Sequence, residues 1–69
     1  MIMQPHQTRV VAEKADLDMK IDKLTVFMAG EAFGRIDLDE QARLRRQGAA
    51  MVDYSAILGE RIDAFQKDA

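Results

Sequence analysis

Residues 22–28 read Asp-Lys-Leu-Thr-Val-Phe-Met, DKLTVFM. On a helix, Leu24 and Met28 fall on one face, four residues apart, while Val26 and Phe27 point elsewhere. Working outward from Leu24 and Met28, positions 7, 10, 14, 17, 21, 24 and 28 advance by alternating steps of three and four. They hold Gln, Val, Lys, Leu, Ile, Leu and Met. Five of these seven are apolar, which is a heptad seam. The spacing predicts a helix from about Pro5 to Met28, roughly 35 Å long at ~1.5 Å per residue. Pro5 suits a first helical turn, and Gly30 suits a C-terminal stop.

A second seam follows a short connection, GEAFGRI, in which Gly30 and Gly34 act as breakers. Positions 44, 48, 51, 55, 58, 62 and 65 hold Leu, Gly, Met, Ser, Leu, Ile and Phe. The predicted second helix runs over 38–65. Asp37 is its expected N-cap, with Glu40 three residues on as in a capping box. At DLDE, favourable acidic charge at a helix start is preferred to a metal site. Gly48 and Ser55 are small, so the second seam leaves room for a close neighbour or a ligand. Phe33 and Ile36, in the predicted loop 29–37, are expected to plug the end of the bundle.

Two long helices and a short loop make an antiparallel hairpin, so the expected fold class is all-α, in a single domain over 1–69. Such a hairpin has no enclosed core. The chain has 69 residues and no cysteine, so neither size nor disulfides can stabilise it. Val11, Val26, Phe27, Ala50, Val52, Tyr54 and Ile57 lie off the seams. These leftover apolar positions are expected to bury against other copies of the chain, giving a symmetric homo-oligomer.

The net charge of −2, from 10 basic and 12 acidic residues, argues against a partner in polymeric DNA or RNA. It leaves open a small phosphorylated ligand in a local basic pocket. No apolar run reaches the roughly 18 residues needed to span a bilayer. MIMQPHQTR lacks the pattern of a signal peptide, so a cytoplasmic protein without membrane partners is expected.

No nucleophile–base pair is apparent. There is no cysteine, and His6 is the single histidine, near the chain start. The reading is therefore a non-enzyme with no catalytic residue, no metal site and no cofactor. The cations carry more information. If paired positions across the hairpin sum to about 68, Lys23 lies level with Arg45, with Arg46 adjacent, and Arg9 lies near Arg61 at the open end. Symmetry could bring such clusters together as anion pockets, since Arg forks and Lys point charges both suit phosphate. The alternative is ordinary surface pairing, for example Asp39 with Arg43. Tyr54 could stack on a base or simply pack with a wet hydroxyl, and Gln47 could read a base edge or face solvent.

One ordered set of residues runs through both helices: Arg9-x-x-x-Glu13, Leu17, Lys23-Leu24-x-x-Phe27, then Leu44-x-x-Gln47-x-x-x-Met51-x-x-Tyr54-x-x-x-Leu58-x-x-Arg61-Ile62. Over residues 6–65 this resembles the small phage helical hairpins of the anti-CBASS type 2 family, whose hairpin is shared with a Thoeris-antagonist family. The resemblance implies a non-enzymatic sponge. Such proteins sequester cyclic oligonucleotide immune signals in the cytoplasm of the infected bacterial host, and so block antiviral defence. It also implies a hexamer with separate sites between subunits for cyclic dinucleotides and cyclic trinucleotides. Lys23 would contact phosphate, with Phe27 in the same motif. Thr8 or Arg9 would come from a neighbouring subunit, where this chain has His6, Gln7 and Thr8 in place of an aromatic that the family can use. Arg45 and Gln47 would serve the trinucleotide site, and Tyr54 completes the candidate ligand-binding set. The rival reading is a structural or regulatory helical hairpin that docks on a protein and binds no nucleotide.

Overall fold

A computed structural model describes residues 3–67 of the chain. Three helices follow in order: α1 over Pro5–Ala29, α2 over Glu31–Arg35 and α3 over Leu38–Lys67. The described residues form an antiparallel hairpin of α1 and α3, 49 × 15 × 14 Å in extent.

Helix α1 begins where Pro5 presets the backbone and forgoes a hydrogen bond that a first-turn residue does not need. The Gln4 backbone N–H is satisfied by Gln7 Oε1 at 2.9 Å, the reach-back half of a capping box. Helix α1 stops at Gly30 as expected. The stop is an extended residue (φ −90°, ψ 170°) whose N–H donates to Phe27 O at 3.1 Å, so it needs no left-handed conformation.

The segment expected as loop 29–37 contains a helical turn, α2. Packing accounts for it. Phe33 lies on α2 and is 6% exposed, set edge-on to Phe27 with ring centroids 6.0 Å apart. The Arg45 guanidinium lies 5.0 Å above the Phe33 ring. Phe33 therefore plugs the closed end, and its burial holds a turn that two glycines would not hold alone. The buried Gln41 locks the exit from α2, donating from Nε2 to Ile36 O at 3.0 Å. Helix α3 then starts with Asp37 Oδ2 accepting the Asp39 N–H at 3.1 Å. Glu40 turns away from the cap and pairs with Arg43 at 2.7 Å, taking the partner expected for Asp39.

Every position of the first seam is half-buried or buried on α1, and so is every position of the second seam on α3. Val10, Phe33 and Leu58 are the buried apolar residues among those described. The contacts Glu13–Tyr54, Lys14–Ser55 and the edge-on His6–Phe65 pair, centroids 6.1 Å apart, set the antiparallel register. Nearer the turn, a Cβ on Gly48 would sit 3.4 Å from Leu24 Cδ2 and 3.7 Å from Met28 Cε.

The Gly48 contacts are ordinary van der Waals distances, so a methyl there fits. Gly48→Ala is expected to stabilise the hairpin by up to about 1 kcal/mol, through the helix propensity of alanine. A urea titration followed by circular dichroism would show the midpoint rising. A lower midpoint would mean that Leu24 cannot yield at this crossing.

Candidate functional site

A groove of about 400 Å³ runs between the two long helices near the turn end. Ile21, Leu24, Thr25 and Met28 of α1 line one wall, and Arg45, Gly48, Ala49, Val52 and Asp53 of α3 line the other. It exists because Gly48 and Ala49 present almost no side chain where larger residues would fill the space. Its walls are mostly apolar, with one cation and one anion on α3.

Of the seven candidate ligand residues, Arg45 alone lines this groove. Lys23 is exposed and makes no ion pair among the described residues. It lies two residues from Thr25, a rotation of ~200° on a helix, and so on the opposite flank of α1. Phe27 is 39% exposed, packed edge-on to Phe33 with one side open. Gln47 donates to Met51 Sδ at 3.8 Å on its own helix. The Tyr54 hydroxyl is held by the Glu13 carboxylate across the hairpin, and Tyr54 is 43% exposed. Thr8 Oγ1 donates to Gln4 O at 3.4 Å, and Arg9 is exposed near the open end. A single chain thus brings Arg45 to Phe27 by way of Phe33. Thr8 and Arg9 lie at the opposite end of the hairpin from them.

Sequence reasoning missed one polar cluster. Lys14 and Ser55 are polar interruptions of the two apolar seams, and they meet. Lys14 Nζ donates to Ser55 Oγ at 3.0 Å and to Asp18 Oδ2 at 2.8 Å, while Ser55 Oγ donates to Asp18 Oδ1. The signal was present: two polar residues at seam positions in antiparallel register should be read as partners. Gly59 makes room, since a Cβ there would sit 3.3 Å from Lys14 Cε. No buried side-chain polar atom among the described residues lacks a partner.

The hydrogen bond from Lys14, then that from Ser55, hold the Asp18 carboxyl below its ordinary 3.8. A carboxylate with a lowered folded-state pKa stabilises the fold above its unfolded value. That contribution disappears as pH falls below 3.8 through the lower folded value. Asp18→Asn is therefore expected to flatten the loss of stability on acidification below that pH, seen in urea midpoints taken across the acid range. An unchanged acid limb would assign the loss to other carboxylates.

With this geometry in view, one comparison is decisive: the sequence profile of the Sequestin family matches residues 4–64. The chain belongs to the Sequestin family. The Sequestin match spans nearly both seams, the α2 turn, the groove and all seven candidate ligand residues. Comparison with curated proteins and with solved structures finds no match. Among the described residues no helix is long and apolar enough to cross a membrane, and no three His, Cys, Asp or Glu side chains are grouped to hold a metal ion.

Proposed function

We propose that this chain is a non-enzymatic sponge, built from several copies, that captures cyclic di- or trinucleotides and lowers their free concentration. Membership of a family named for sequestration, over 61 of 69 residues, carries this reading. In an infected bacterial host, such capture would keep an immune signal from its effector and blunt CBASS-type defence.

The chemistry is compatible with the role. Sequestration needs affinity and many sites, not turnover. A cyclic oligonucleotide presents phosphodiesters and flat bases, and a pocket for it needs cations beside apolar or aromatic walls. Lys23 supplies an unpaired ammonium, with Phe27 one turn away on the same helix. The site is completed by a neighbouring subunit, which brings Thr8 or Arg9 to it.

The packing supports a reading of several copies. Three buried apolar side chains among the described residues are few for an independent fold, while Val26 is 72% exposed and Val52 and Ile57 are each 53% exposed. Calorimetric titration with a panel of cyclic di- and trinucleotides, against linear controls, tests the reading. Submicromolar binding of a cyclic species over its linear counterpart is expected. No binding across the panel would favour a hairpin that serves as a protein-interaction module.

A further inference from the structure

The groove wall on α3 has a property that neither helix needs for its own folding. Arg45 and Asp53 lie four residues either side of Ala49, and all three line the groove. Neither Arg45 nor Asp53 makes an ion pair among the described residues, and both are exposed. Val52, beside them, is 53% exposed. The wall is therefore an apolar strip with a small residue at its centre and opposite charges one turn away at each end.

We propose that a second copy of this chain covers this groove, its α3 antiparallel to the first and a two-fold axis passing through Ala49. The charges decide the direction. In an antiparallel pair centred on Ala49, Arg45 of each copy faces Asp53 of the other, giving two identical ion pairs. A parallel pair would set Arg45 against Arg45 and Asp53 against Asp53, and like charges so placed oppose association. A slip of one turn would leave Arg45 facing Ala49 and both charges unpaired.

The small residues set the spacing. Ala49 at the axis, with Ala42 facing Ala56 of the other copy, allows the helices to approach to about 8 Å, the close end of the usual range. Val52 is then covered, and the Arg45 guanidinium stays within reach of the edge of this strip, over the Phe33 ring 5.0 Å from its centroid. This interface rests on the self-association proposed above.

Two sets of variants test it, with sedimentation equilibrium in the absence of nucleotide as the readout. Arg45→Asp and Asp53→Arg are each expected to weaken association at least tenfold, and the double variant to return to within about threefold of the parent. Because Arg45 also packs on Phe33, a second test avoids it. The chain has no cysteine, so Ala49→Cys introduces a single thiol. Under mild oxidation it is expected to form the 49–49 disulfide at least tenfold faster than Ile57→Cys, whose site lies off the groove, since bridging needs Cα atoms within about 7 Å. Losses that add in the double variant, or cross-linking no faster at 49 than at 57, would overturn this interface and leave self-association standing. A parent chain that stays monomeric at every concentration would overturn both.

Discussion

Lys23→Ala is expected to lower affinity for the captured cyclic nucleotide by about ten- to a hundredfold, and to leave helicity and subunit number unchanged. A hydrogen bond to a charged group contributes about 1.5–3 kcal/mol, which sets that range. The fold should not respond, because Lys23 is exposed and makes no ion pair among the described residues. The two readouts separate the possibilities. Lost binding with an intact assembly places a phosphate at Lys23. Undiminished binding would move the phosphate site elsewhere, with Arg46 and Arg61 the next residues to test.

Leu58→Ala should act through the fold instead. Leu58 is the one described residue of large volume that is fully buried, at 0% exposure. Truncating such a leucine costs about 2–5 kcal/mol, the range depending on how far the cavity collapses. A small domain has only a few kcal/mol of stability in total, so the variant is expected to be largely unfolded when dilute. Self-association should restore part of the helicity at high protein concentration, because assembly is linked to folding. Circular dichroism over a hundredfold range of concentration would show this. A variant as helical as the parent when dilute would mean that the hairpin core is not anchored at Leu58.

The helices were legible because a heptad is a strong signal: both predicted seams are the faces that the two long helices bury. The turn was less legible. Gly30 and Gly34 read as breakers, but Gly34 has open space around it and lies within α2, where burial of Phe33 outweighs local propensity. Asp37 as a cap was legible, whereas Glu40 chose Arg43 over the cap because the side-chain pair competes for the same carboxylate.

The groove was the least legible feature. Thr25, Val52 and Asp53 have no motif, and their proximity arises only once Gly48 and Ala49 fix the distance between helices. Ala49 was passed over because alanine looks like filler on a helix. Lys14 and Ser55 show the opposite case, where two apparent defects in separate seams explain each other once the register is known.

The central claim is capture without conversion. The direct measurement mixes a cyclic nucleotide with excess protein, determines the free ligand by ultrafiltration, then heat-denatures the complex and identifies the released ligand by mass spectrometry. The account predicts that free ligand falls in proportion to added sites and that denaturation returns all of it as the unaltered ring. Ligand that stays free in the presence of excess protein, or that returns linearised, would contradict it.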